Sequence, residues 1–156
     1  MNKLSIIVPC FNEEASIKLF YDTVEEVFVD IQKKWKFVPE YWFIDDGSSD
    51  KTLDQLRKLQ NMDPEHVHYV SFSRNFGKEA ALYAGLQYST GDLVTVIDVD
   101  LQDPPELLSE MIKGIKIEGY DIVGCRREDR KGEPVIRSFF SNLFYKLINA
   151  TMGKAV

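Results

Sequence analysis

Short apolar runs rich in β-branched residues alternate along the chain with longer stretches of helical period. Five such runs, at residues 4–8, 38–44, 67–72, 93–97 and 121–124, are each bounded by polar or turn-forming residues and read as strands. Between the first two, residues 15–31 place Ile17, Phe20, Tyr21, Val24, Val27, Phe28 and Ile31 at steps of three and four, the spacing of one apolar helix face. Further helices are predicted at about 50–60, 78–89 and 105–117, with Asp50 as a cap ahead of Leu53 and Leu56 and Pro104-Pro105 opening the last one. Strand and helix in alternation predict an α/β fold, a mostly parallel sheet flanked by helices.

A chain of 156 residues, 44% hydrophobic, is long enough for one buried core and too short for two. The net charge of −6 is the wrong sign for wrapping nucleic acid. Charge is unevenly spread: residues 1–122 carry a net −10 and residues 123–156 a net +4. The division expected is therefore a core at 1–125 and a basic segment at 126–156. In that segment Val135, Ile136, Phe139, Phe140, Leu143, Phe144, Leu147 and Ile148 fall at helical spacing among Arg126, Arg127, Arg130, Lys131, Arg137 and Lys146. An interfacial amphipathic helix has this pattern, and so does a core or dimer helix whose apolar face is covered elsewhere. The chain stops soon afterwards with nothing to close the sheet, so it reads as truncated at its C-terminus. Cys10 and Cys125 have no CxxC spacing, and no run reaches the roughly 18 apolar residues of a membrane span.

Ligands of open parallel sheets bind beyond the carboxyl ends of the strands, and here those ends are acidic. The first run leads into Pro9-Cys10-Phe11-Asn12-Glu13-Glu14, the second into Asp45-Asp46-Gly47-Ser48, and the fourth into Asp98-Val99-Asp100-Leu101-Gln102. If the chain stays extended there, Asp98 and Asp100 share a face and can meet one hard cation, with Gln102 as a neutral oxygen ligand. Mg²⁺ or Mn²⁺ held by two carboxylates keeps positions for substrate phosphate oxygens. A solvated acidic turn is the plainer alternative for so short a motif. Asp45 and Asp46 can accept from a nucleobase or ribose, or can close an Asx turn with Gly47. His66 and His68 lack a third ligand and read as solvated strand-edge residues. Gly77, Gly85 and Gly91 do not form a dinucleotide fingerprint.

Taken together, four segments resemble the inverting family 2 glycosyltransferases of the GT-A type, and among them the polyprenyl-phosphate glycosyltransferases, such as the bacterial undecaprenyl-phosphate glucosyl and dolichol-phosphate mannosyl enzymes. They are residues 7–14 (IVPCFNEE), 45–50 (DDGSSD), 73–81 (SRNFGKEAA) and 98–106 (DVDLQDPPE). The resemblance implies a Rossmann-like nucleotide-binding half. It assigns Pro9, Phe11, Glu13 and Asp46, with Asp45 beside it, to the nucleoside pocket, and Val99 to donor binding. Asp98, Asp100 and Gln102 become the metal and diphosphate ligands, Arg74 and Lys78 lie near the donor phosphates, and Arg126 faces a donor or acceptor phosphate. Arg137 is then a candidate for the acceptor phosphate.

The implied reaction moves a sugar, with inversion, from a UDP-sugar to a polyprenyl phosphate at the cytoplasmic face of the cell membrane. Mg²⁺ or Mn²⁺ is the implied cofactor, and the resemblance leaves UDP against GDP, the sugar and a homo-oligomer open. The family pattern continues with a further acidic segment, the usual base, and with membrane segments, and neither is in this sequence. A nucleotide-sugar-binding module without transfer, a saccharide acceptor, and a nucleotidyltransferase remain the competing readings.

Overall fold

The computed structural model describes residues 2–125, so the expectations for Arg126, Arg137 and the basic segment at 126–156 lie outside the described residues. Strand β1 (Asn2–Cys10) is followed by α1 (Ile17–Trp35), β2 (Phe37–Asp45), α2 (Thr52–Met62), β3 (Val67–Ser71), α3 (Lys78–Tyr88) and β4 (Leu93–Val96). A 3₁₀ turn (Pro105–Leu107) then runs directly into α4 (Leu108–Lys116). Helix α1 buries the predicted stripe of Ile17, Phe20, Tyr21, Val24, Phe28 and Ile31. It continues four residues beyond the expected end, because Gln32, Lys33 and Lys34 are good helix formers and cations suit the negative end of the dipole. Lys36, at φ 61°, then stops it in the left-handed conformation. Lys51, not Asp50, holds the cap position of α2; Asp50 stands one residue before it, and its carboxylate accepts from the N–H of Thr52, the first helical residue, at 2.9 Å.

All four strands are parallel, in the order β3-β2-β1-β4. Strand periodicity splits the core in two. Ile6, Val8, Tyr41 and Phe43 face α1, α2 and α4, whereas Ile7 and Ile44 face Ala81 of α3. Helix α3 can lie this close because Gly85 rests on Ile7, where an added Cβ would stand 2.3 Å from Ile7 Cγ2. The chain thus winds outward from β1 to β3 on one side and returns across the other face to β4. The carboxyl ends of β1 and β4 part at that reversal, and this opens a crevice. At the opposite edge Glu40, 3% exposed, accepts from Lys3 Nζ (2.8 Å), Ser5 Oγ, and Thr90 N–H (3.0 Å) and Oγ (2.6 Å), tying β1, β2 and the approach to β4 together.

The fifth predicted strand does not form: residues 121–125 pair with no strand among those described. Ile122 is 88% exposed, and Val123 is drawn instead against Gly114 of α4. With one side chain of the pair spent on α4 and the other on solvent, the short run has no apolar face to lay along β4. His68 also departs from expectation, since its ring lies 4.6 Å from that of Trp42 and is packed against it. His66 Nδ1 lies 2.9 Å from Asp63 Oδ1. Among the described residues no helix is long and apolar enough to cross a membrane.

Candidate active site

The loops after β1 and β2 are clamped by reciprocal side-chain to backbone hydrogen bonds. Asn12, at φ 57°, gives its N–H to Ser48 Oγ (2.9 Å) while its side-chain oxygen takes the Ser49 N–H (2.8 Å). Glu13 N–H donates to Thr52 Oγ (2.7 Å), Glu14 N–H to Asp50 (3.1 Å), and Lys51 N–H back to Glu14 (2.9 Å). Slight burial alone would raise the Asp50 carboxyl, but the donors from Thr52 and Glu14 outweigh it and hold it below the ordinary range. Loop donors satisfied in this way keep the crevice wall in one shape.

The third loop is fixed by Asp45, which ends β2, and by Asp46 just after it, in different ways. Asp45, 1% exposed, accepts from Ser48 N–H (3.0 Å) and Ser71 Oγ (2.8 Å), closing the turn and bridging to β3. Asp46, 4% exposed, accepts from Phe76 N–H (2.7 Å) with one oxygen and Gly77 N–H (2.9 Å) with the other. Gly47, at φ 71°, completes this contact: a Cβ there would meet the Arg74 carbonyl carbon at 2.3 Å. Backbone of the loop between β3 and α3 is therefore laid on the DDGS turn, and this sets where α3 begins.

A cavity of about 330 Å³ fills the crevice, a size suited to a small ligand. Pro9, Cys10, Phe11 and Glu13 line it from the end of β1, and Asp46 from β2. Asn75, Gly77, Lys78 and Ala81 line it from the α3 side, and Asp98, Val99 and Asp100 from the end of β4. Asp98 and Asp100 reach it by a different backbone from the one expected. Strand pairing ends at Val96, residues 99 and 100 form a turn, and Leu101 takes φ 57°. Val99, 4% exposed, anchors the turn in the core. The Lys78 ammonium lies 2.7 Å from both oxygens of Asp98. A cation is thus already accommodated at this carboxylate, and two carboxylates on one cavity wall are a hard-oxygen donor set that fits Mg²⁺ or Mn²⁺.

The remaining expected residues are placed less directly. Asp45 is absorbed in the turn, and Arg74 lies over the Phe76 ring at 4.3 Å. Neither lines the cavity, nor does Gln102, whose N–H donates to Asp100 Oδ1 at 3.0 Å. Sequence reasoning gave no role to Cys10, Asn75, Gly77 or Ala81, although all lie inside the quoted segments. Cys10 has its thiol 3.3 Å from the Val8 carbonyl, and burial, then Asp45 and Glu13, push its pKa well up.

Residues 5–154 match the sequence profile of glycosyl transferase family 2. The chain is 44% identical over 147 residues to a bactoprenol glucosyl transferase of Shigella phage SfX, covering 94% of this chain and 46% of that protein. It is 41% identical over 145 residues to the uncharacterized glycosyltransferase YkcC of Bacillus subtilis (strain 168), covering 93% and 43%. The chain thus spans less than half the length of these relatives. Among solved structures it is similar to a mannosyltransferase of Pyrobaculum calidifontis in complex with GDP-Man and Mn²⁺. That match has a TM-score of 0.62 at 26% identity over 74% of this chain and 32% of that one. A mycobacterial protein shares the fold at a TM-score of 0.57 and 24% identity over 94% of this chain and 49% of that one. With a GT-A type parallel sheet and a profile match over nearly its whole length, the chain belongs to glycosyl transferase family 2.

Proposed function

We propose that this chain is the donor-binding part of an inverting hexosyltransferase that moves a sugar from a UDP-sugar, glucose first, to a polyprenyl phosphate at the cytoplasmic face of a membrane. The observation that carries the reading is the meeting of Asp98, Asp100 and Lys78 on one cavity at the crevice of a parallel sheet. The likeness to a bactoprenol glucosyl transferase supports the acceptor and the sugar.

A donor diphosphate is repelled by bare carboxylates, so Asp98 and Asp100, with Gln102 in the adjoining turn, would hold Mg²⁺ or Mn²⁺ between protein and phosphate. Bound there, the ion supplies electrostatic stabilisation of the charge gathering on the leaving diphosphate. Phe11, 47% exposed at the mouth, offers a ring face to the nucleobase, and Glu13 an acceptor to the ribose hydroxyls. Val99 forms apolar floor beneath the donor, and Pro9 shapes the wall beside the base. Lys78 and, from the loop above, Arg74 complement the phosphates. Asp45 and Asp46 act by holding the loops that carry these groups.

The acceptor phosphate, with a second pKa near 6, is mostly a dianion at pH 7. It can attack the anomeric carbon in line with little need of a base. Arg126 and Arg137, outside the described residues, are the cations we assign to phosphates of donor and acceptor. Apolar residues at 135–148 among basic ones suit a membrane surface.

Calorimetric titration of UDP, GDP, UDP-glucose and GDP-mannose, with and without Mn²⁺, tests the reading. Manganese should strengthen UDP-glucose binding, and Asp98→Asn or Asp100→Asn should remove at least about ten-fold of that affinity, the loss of one charged ligand. Unaltered manganese-supported affinity in both variants would sink the site. A preference for GDP-mannose, the donor in the Pyrobaculum structure, would replace the donor assignment. Transfer of labelled glucose to undecaprenyl phosphate by the full-length protein checks the acceptor.

A further inference from the structure

Lys78 is the first residue of α3, and its ammonium lies 2.7 Å from both Asp98 oxygens, across 20 residues of sequence. Helix start and carboxylate are brought together by separate devices. Asp46 fixes the loop before the helix through the Phe76 and Gly77 N–H groups, and the turn at 99 and 100 aims Asp98 into the cavity. Lys78 is thus held where a divalent ion bound to Asp98 would have to sit, and one carboxylate cannot keep both cations in the same place. An ammonium on a flexible four-carbon stem can move further than the short Asp98 side chain, whose backbone is pinned by the buried Val99 beside it. When displaced, the Lys78 head still borders a cavity that Asp100 and Glu13 also line, and a donor diphosphate bound there brings the larger counter-charge to it.

We propose that Lys78 is an exchangeable internal counter-ion. It occupies Asp98 in the metal-free site, is released when a divalent cation takes that carboxylate, and is thereby handed to the donor diphosphate. This rests on the proposed function and adds to it a coupling: metal and donor bind cooperatively in part because one lysine cannot serve Asp98 and the phosphates together. By linkage the coupling is reciprocal, so the factor by which Mn²⁺ tightens UDP equals the factor by which UDP tightens Mn²⁺. The pair is partly exposed, with side chains 53% and 39% accessible, so its competition with the metal is modest.

The test compares the full chain with Lys78→Gln and Lys78→Met in three titrations: Mn²⁺ alone, followed by the paramagnetic resonance of the free ion; UDP in EDTA; and UDP at saturating Mn²⁺. Without its competitor, Mn²⁺ alone should bind about two- to five-fold tighter in both variants, the range for an exposed ion pair. UDP in EDTA should change by less than two-fold, because Lys78 is then engaged with Asp98, while UDP with Mn²⁺ should weaken several-fold. The coupling factor therefore shrinks. Lys78 is exposed at a helix start, and unchanged urea midpoints of the variants check that the fold is intact. The proposal is overturned if Mn²⁺ affinity in the absence of nucleotide is unchanged or reduced. It is equally overturned if UDP weakens by the same factor with and without metal, since Lys78 would then be an ordinary phosphate ligand. If the unsubstituted chain bound neither Mn²⁺ nor UDP, the functional reading itself would fail, and that result is distinct from both.

Discussion

Replacing Asp46 separates two roles that a pocket carboxylate can play, reading the nucleobase or holding the wall. Its two oxygens each accept one backbone N–H, from Phe76 at 2.7 Å and Gly77 at 2.9 Å, and the side chain is 4% exposed. Hydrogen bonds to a charged group contribute about 1.5–3 kcal/mol each. Phe76 is 52% exposed, so water can reach part of the freed backbone. Asp46→Ala should therefore cost about 2–4 kcal/mol rather than the full sum of two such bonds. Asp46→Asn keeps one acceptor but turns an amide N–H₂ toward the other donor, and should cost about half as much. Urea unfolding of each variant gives the stability, and titration with UDP, CDP and GDP gives the binding. If Asp46 holds the wall, both variants lose stability and all three nucleotides weaken together, because the whole loop carrying Asn75, Gly77 and Lys78 shifts. A variant of wild-type stability whose only change is its preference among bases would refute this account.

Two other perturbations test the framework. Burial alone would raise the Glu40 carboxyl, but the donors Lys3, Ser5 and Thr90 outweigh it and bring it from 4.5 to about 2. A depressed folded pKa means stability that is present above about pH 4.5 and lost as pH falls toward 2, at most about 3 kcal/mol. Glu40→Gln should flatten urea stability over that window, and a variant with the wild-type slope would refute the assignment. Gly85→Ala, favourable by helix propensity alone, should instead destabilise by about 1–3 kcal/mol, because its methyl would stand 2.3 Å from Ile7 Cγ2. An unchanged or raised thermal midpoint would show that α3 can lift from β1 without cost.

What could be read in the chain, and what could not, divides by the range of the interaction. Helix α1 and the four strands follow from local periodicity, and so does the acidity of the strand ends, since each is written in neighbouring residues. The run at 121–124 has the same local signature and yet makes no ladder, because Ile122 faces solvent and Val123 packs on Gly114. Glu40 is the converse case. In the run from Val38 to Ile44 a glutamate reads as a solvent-facing position, and its burial makes sense only once Lys3, Ser5 and Thr90 arrive from 35 to 50 residues away.

The site shows the same division in sharper form. An alternating DxD was expected to meet a metal because extended chain puts alternate side chains on one face, and the residues do meet one cavity, but on a turn with a left-handed Leu101. The motif thus locates the carboxylates while the backbone that aims them depends on Val99 being buried beneath. Neither the motif nor the RNFGK segment contains the information that Lys78 rests on Asp98, because that contact exists only after Asp46 has fixed the loop from β2. Asp46 beyond β2, Lys78 at the start of α3 and Asp98 beyond β4 therefore determine one ion pair. Loosening any of the three should alter metal and donor binding together even where no ligand is touched, and the Asp46 variants are the direct means of seeing it.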